Sequence, residues 1–308
     1  MHGVIQFPVS AAVAAALTLG SVATAARAQS TGLRGDIERR MGEVPGAVVG
    51  IAFHDLEAGD SLYLGADESF HAASTMKVPV MIELFRRIDA GAFQLDQGVP
   101  LVNHFVSIAD GSSYSLSAGD DSDSLAYNLV GSRVPIRDLI DHMITRSSNL
   151  ATNALIELVG AKNANATAHQ LGAANIKVLR GVEDTPAFRA GMNNTTTARD
   201  LAVLLEAIET GRAASRASCD AMRDILARQE FNDEIPAGLP PGTKVAHKTG
   251  WITGVLHDAA IVYPPSRKPY VLVVLTRDIP DEKVARALIA DLSRLVWAHA
   301  TRVGAARQ

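Results

Sequence analysis

The chain predicts an α/β (α+β) fold: an antiparallel sheet flanked by terminal helices, joined to an all-helical lobe, with a ligand cleft between them. Three observations predict it. Apolar, β-branched runs lie near both ends, at Ala47–His54 and again between Lys244 and Thr276. Helical periodicity dominates the middle, from about Phe70 to Ala214. Amphipathic helical stretches bracket the strands, Leu33–Met41 before them and Asp281–His299 after. Strands drawn from both ends with helices between imply two lobes, and the cleft at such a junction is a usual ligand site.

Residues 1–28 read as an export signal. Val9–Ala23 is apolar and small, and Ala26-Arg27-Ala28 has the form of a cleavage site. No Lys or Arg precedes the apolar run, so an uncleaved anchor is the competing reading, but the run is short for a membrane span and rich in Ala. Cleavage leaves a unit over 29–308, with the sheet lobe over about 29–68 and 215–308 and the helical lobe over about 69–214. The expectation is an exported protein, periplasmic or secreted, with no membrane span in the mature chain.

Ala47–His54 and Ser61–Leu64, separated by a Gly-Asp turn, form a predicted hairpin. Lys244–His247, Leu256–Tyr263 and Tyr270–Thr276 are predicted strands, the last two joined by the polar connection Pro264–Lys268. The closing helix places Val284, Leu288, Leu292 and Leu295 on one face. Val102–Ser132, rich in Ser, Gly and Asp, reads as a surface loop or part of the cleft rim.

The 308 residues carry a net charge of −4, too mild to mark a nucleic-acid or anionic-membrane surface. Cys219 is the single cysteine, so no internal disulfide forms, and buried packing is its expected role. The nine His are scattered, His104 and His142 included, without metal-ligand spacing. No metal or cofactor is implied, and a monomer is expected.

Three short motifs carry the chemistry. The first is Ser74-Thr75-Met76-Lys77. On a helical wheel of about 100° per residue, Ser74 lies about 60° from Lys77. Val78, Met81, Ile82, Leu84, Phe85 and Ile88 share that side, and Glu83, Arg86 and Arg87 take the opposite arc. A lysine on the apolar face is desolvated, its pKa falls, and it becomes a proton acceptor. The spacing lets the amine reach the hydroxyl, and the helix N-terminus favours a developing oxyanion. The alternative is a helix-capping Ser74 with Lys77 reaching solvent.

Ser147-Ser148-Asn149 precedes a helix that stops at Gly160, and a plain helix cap is its alternative reading. Lys248-Thr249-Gly250 lies at the end of a predicted strand, where a cation and a hydroxyl can meet a carboxylate and the glycine admits a ligand close to the backbone. Its alternative is a strand end with a turn glycine.

Together and in this order, the motifs resemble those of the penicillin-recognising serine hydrolases, the class A β-lactamases most closely. The resemblance covers about residues 32–302 and implies a β-lactamase/transpeptidase-like fold. It implies that Ser74 attacks an acyl carbonyl, Lys77 takes the proton and Ser147 relays one to the leaving nitrogen. Asn149 would donate to the substrate side-chain amide, and Lys248 and Thr249 would bind its carboxylate. The backbone N–H groups of Ser74 and Trp251 would form the oxyanion hole. Leu179-Arg180-Gly181-Val182-Glu183 resembles the family loop that carries the water-activating glutamate, which makes Glu183 the candidate base. Asn153 and Asn194-Thr195-Thr196-Thr197 match further positions.

The chain departs from the pattern at Ser148 for an aspartate, Gly181 for an arginine and Ala187 for an asparagine. The loop after Glu183 is also shorter by about two residues against the family pattern. Glu183 paired with Arg180 or Arg189 is the alternative there, and Arg277 reads as a solvated strand-end charge. Three functions follow: a serine β-lactamase, a D-Ala-D-Ala carboxypeptidase or related serine amidase or esterase, and a penicillin-binding sensor without turnover. Each takes a small-molecule β-lactam or D-Ala-D-Ala-like partner.

Overall fold

The computed structural model describes residues 32–305, and the expected export segment at 1–28 lies outside the described residues. Helix α1 (32–42) leads into the hairpin β1 (Val48–Asp55) and β2 (Ser61–Leu64). β3 (Phe70–His71) precedes a 3₁₀ turn (Ala73–Met76) that runs into α2 (Lys77–Asp89). The segment that follows holds β4 (Gly98–Pro100), β5 (Phe105–Val106), β6 (Ser113–Tyr114) and β7 (Arg133–Pro135). Next come α3 (Ile136–Thr145), α4 (Asn149–Val159), α5 (Ala161–Gln170), α6 (Thr185–Arg189), β8 (Thr195–Thr196), α7 (Ala198–Glu209) and α8 (Arg216–Leu226). β9 (Lys244–Ile252), β10 (Val255–Tyr263), β11 (Tyr270–Arg277) and α9 (Glu282–Ala305) close the chain.

The main sheet has the order β2-β1-β11-β10-β9 and is antiparallel at every junction. The first and last strands of the chain therefore meet at its centre, where Ile51 faces Val274 and Ala52 faces Val273. Both faces are covered, so these strands read as nearly continuous apolar runs. Ile51, Phe53, Leu272 and Val274 pack under α1 and α9. Ala52, Val271, Val273 and Leu275 face the helical core of α2, α3, α4, α7 and α8.

Several details differ from the expectation. β9 runs on through Lys248-Thr249-Gly250 to Ile252, so the third motif sits inside a strand. The helical middle also contains short strand pairs, among them β5–β6 inside the segment expected to be a loop. α7 packs on β1, β10 and β11, and α8 packs on β9 as well as on α2, α3 and α7. Glu83 is buried because α5 covers that side of α2: Thr167 Oγ1 donates to Glu83 Oε2 at 2.6 Å and Arg87 Nε to Oε1 at 2.6 Å. On α9 the buried stripe is Leu288, Ile289, Leu292 and Val296, while Val284 is exposed. Each such side chain contributes about 1.5–3 kcal/mol by leaving water. Cys219 is buried and unpaired, as expected. Among the described residues no helix is long and apolar enough to cross a membrane.

Candidate active site

Ser74 lies in the 3₁₀ turn rather than in the first turn of an α-helix. The Lys77 N–H donates to Ser74 O, the bond that closes a 3₁₀ turn. Residues i and i+3 share a face in that geometry, so Lys77 and Ser74 leave the turn on the same side. Ala73, just before Ser74, has φ 44°, a left-handed conformation that costs an alanine about 1–3 kcal/mol. His71 steadies it: its Nδ1 accepts the Ala73 N–H at 3.0 Å, and that acceptor role requires the uncharged ring. Burial and the Arg180 charge both lower the His71 pKa and keep it uncharged.

Lys77 is fully buried. Its amine reaches across to the second motif, donating to Ser147 O at 2.6 Å, Asn149 Oδ1 at 3.0 Å and Ser147 Oγ at 3.1 Å. Burial brings its pKa down to about 7, with Asp121 and Glu183 holding it from falling further. From the other side, fully buried Lys248 donates to the same Ser147 Oγ at 3.1 Å and to Thr249 O at 3.0 Å. Its pKa is lowered by burial first and by Lys77 second. Two buried amines on one hydroxyl repel each other's charge, so a proton on one disfavours a proton on the other. Ser147 has φ 61°, again in the left-handed region, which turns its hydroxyl between the amines.

The second motif opens α4. Ser148 is the N-cap, its hydroxyl accepting the Ala151 N–H at 3.2 Å. The third motif crosses in front of the nucleophile turn. A Cβ at Gly250 would lie 3.0 Å from Ser74 N and 3.1 Å from Thr75 N. Only glycine lets β9 approach that closely, and the approach brings the backbone at Trp251 beside the nucleophile. Thr249 is buried, and the Trp251 side chain is 51% exposed.

Glu183 also has a left-handed φ, 62°, and it lines the cleft opposite Ser74. Asn149 Nδ2 donates to Glu183 Oε1 at 3.0 Å, so Asn149 bridges Lys77 and Glu183. Burial raises the pKa of this carboxyl, opposed by the Asn149 hydrogen bond. Arg180 turns away from it, donating to Met192 O at 3.0 Å and Gly181 O at 2.9 Å. Asn194 closes the neck of this loop with its side-chain amide, accepting Leu179 N–H at 2.8 Å and donating to Arg180 O at 3.0 Å. Asn153 brackets Val182, accepting its N–H at 2.6 Å and donating to its carbonyl at 3.0 Å. Asp184 is buried and fastened from outside, since Ser107 Oγ donates to it at 2.6 Å and Ile108 N at 3.0 Å.

Ser74, Asn149 and Glu183 open on one cleft of about 460 Å³, whose walls also include Phe188 and Trp251. Of the eight residues singled out from sequence, Lys77, Ser147, Lys248 and Thr249 lie buried behind its floor. Arg277 is held away by Ser69 O at 2.9 Å and Glu68 Oε1 at 2.8 Å. Sequence reasoning missed His71, read only as lead-in to the first motif, and Asp121, whose Ser/Gly/Asp-rich surroundings carry no periodicity. It also missed the Ser107–Asp184 clasp, which joins distant segments and leaves no local signal.

Comparison with known proteins agrees with this arrangement. Residues 32–300 match the family model for the β-lactamase enzyme family. A β-lactamase of Streptomyces albus G is 28% identical over 298 residues, covering 93% of this chain and 92% of its own. The crystal structure of a β-lactamase from Sphaerobacter thermophilus superposes with TM-score 0.75 at 29% identity, over 88% of this chain and 97% of that one. The structure of a protein named PBP-A superposes with TM-score 0.77 at 30% identity, over the same shares. An antiparallel sheet with a helical layer, a serine motif in the cleft and these likenesses agree: the chain belongs to the β-lactamase enzyme family, in the class A branch of the penicillin-recognising serine hydrolases.

Proposed function

We propose that the chain hydrolyses β-lactams through an acyl-enzyme on Ser74. The observation that carries this reading is the pair of buried amines meeting at Ser147 Oγ behind the nucleophile turn. Lys77, brought into the neutral range by burial, takes the Ser74 proton as Oγ attacks the lactam carbonyl. The N–H groups of Ser74 and Trp251 receive the oxyanion. The lactam C–N bond breaks, and the nitrogen gains a proton from Ser147 Oγ, which is replenished from Lys77. A substrate carboxylate at Thr249 favours the charged form of nearby Lys248, and that assigns the neutral form of the pair to Lys77. Asn149 orients the substrate side-chain amide. Glu183, its pKa raised, then accepts a proton from the water that attacks the ester; the carbonyl C–Oγ bond breaks, and the proton returns to Ser74 Oγ. Residues 1–28 support export, which would put the enzyme where β-lactams arrive.

A second reading, a D-Ala-D-Ala carboxypeptidase or a penicillin binder with slow release, is favoured by the substituted Glu183 loop and by the likeness to PBP-A. Intact mass over time with excess benzylpenicillin separates the two. A transient adduct with consumed penicillin is the expected result. A persistent adduct would move the assignment to the second reading, and no reaction would remove both.

A further inference from the structure

The Ser147–Asn149 turn carries no carboxylate of its own, because Ser148 holds the position where an aspartate stands in the family pattern. Ser148 satisfies only Ala151 N at the start of α4. The two preceding N–H groups, of Asn149 and Leu150, are among those a helix start leaves without an internal partner. Both find the same carboxylate. Asp121 Oδ2 accepts from Asn149 N at 2.9 Å and from Leu150 N at 3.0 Å, and Oδ1 accepts from Asn149 N at 3.1 Å. Asp121 is itself held, by its own Oδ1 accepting from Asp123 N at 3.0 Å and by Tyr127 OH donating to Oδ2 at 3.1 Å. It is 8% exposed and comes from the 102–132 segment, 28 residues before Asn149 in the chain.

We propose that Asp121 is the positioning residue of the second motif, the anionic anchor that the turn itself lacks, supplied from a distant loop. This rests on the roles given above to Ser147 and Asn149. The anchored peptide belongs to Asn149, whose side chain accepts from Lys77 and donates to Glu183. Asp121 therefore sets the place of the residue that links the acylating amine to the deacylating carboxylate. It also acts through charge. Lys77 faces Asp121, Glu183 and Lys248. Glu183 faces Lys77, Asp120 and Asp121. Asp121 neighbours Tyr127 and the Asp123–His142 pair. Its negative charge raises the pKa of both Lys77 and Glu183. Neutralising it lowers both, so each base stays unprotonated to lower pH.

The test uses the full mature chain, with Asp121→Ala, Asp121→Asn, Ser148→Asp and the double variant Asp121→Ala/Ser148→Asp. Benzylpenicillin is the probe, read by intact mass and rapid-mixing kinetics, with thermal melts to confirm folding. Asp121→Ala should slow acylation about 10- to 100-fold, the scale of a displaced reacting group. The milder Asp121→Asn should move the acid limb of the acylation profile to lower pH, which a purely structural role would not do. The double variant should recover part of the rate, because an aspartate at the N-cap can accept from the Leu150 N–H and returns a negative charge to the start of α4. Hydrogen exchange of the Asn149 and Leu150 amides should quicken in Asp121→Ala whether or not penicillin reacts. That separates this proposal from the acyl-enzyme reading, which the parent chain tests alone. Unchanged exchange at these amides would overturn it, as would a double variant no faster than Asp121→Ala.

Discussion

The acylation centre and the Glu183 loop lie on opposite sides of Asn149, and they are built differently. Lys77, Ser147 and Lys248 are buried on an α-helix, a helix-entry turn and the edge strand of the main sheet, each packed against the main core. Glu183 sits on an irregular loop at the open wall of the cleft, held by side chains that bind its backbone: Asn153 at Val182, Asn194 at the neck and the Ser107–Asp184 clasp. Packed elements place charged groups within tenths of an ångström and desolvate them, so the residue types there admit little change. A loop needs only that its backbone N–H and C=O groups find partners, and several side chains can supply these. Two of the three departures, Gly181 and Ala187, fall on the loop; the third, Ser148, lies in the packed second motif, whereas Ser74, Lys77, Ser147 and Lys248 match the family pattern.

The largest break in this comparison comes from Ser74→Ala, which should end penicilloyl labelling and cut turnover at least about 10⁴-fold. Labelling that survived, by intact mass, would mean another nucleophile. Glu183→Gln strikes only the loop side. Acylation should persist while deacylation slows about 10²- to 10⁴-fold, so the adduct accumulates. If both steps slowed equally in rapid-mixing traces, Glu183 would belong to the acylation centre as well.

The pH profile sharpens the contrast. Protonated Lys77 cannot accept the Ser74 proton, so single-turnover acylation should be half lost as pH falls through about 7. Glu183 is raised from the ordinary carboxylate range by burial, so the deacylation limb should lie above that range. An acylation rate flat across neutral pH would remove Lys77 as the base. The smallest effect is expected from Ser107→Ala, which removes one bond to Asp184 and leaves Ile108 N in place. It should lower deacylation by a few-fold, on the order of the 0.5–1.5 kcal/mol of a single hydrogen bond, and leave acylation alone. A matching loss in acylation would show that the hairpin supports the whole cleft.

Legibility followed the range of the interactions. The β1–β2 hairpin, β10, β11 and α9 were readable because periodicity is local and burial imposes it. Lys77 was readable as a buried amine from its place on the apolar stripe. The same wheel put Glu83 in solvent, because it could not show that α5 covers the opposite arc of α2. β9 was read short because the alternation fails at Lys248-Thr249-Gly250, where a lysine turns inward to meet Ser147.

The amino-acid sequence by itself determined the sheet-plus-helices fold and singled out the candidate nucleophile Ser74, its lysine and the two partner motifs, since these rest on residue type and short-range spacing. Only the tertiary structure decided what holds them. Two lysines from separate elements meet at one hydroxyl, a serine from β5–β6 fastens the Glu183 loop, and Asp121 fills a place that Ser148 leaves empty. Hydrogen bonds and charge act across a few ångströms of space regardless of separation along the chain. No window of sequence contains both ends of such a contact, and chain closure around the core brings them together.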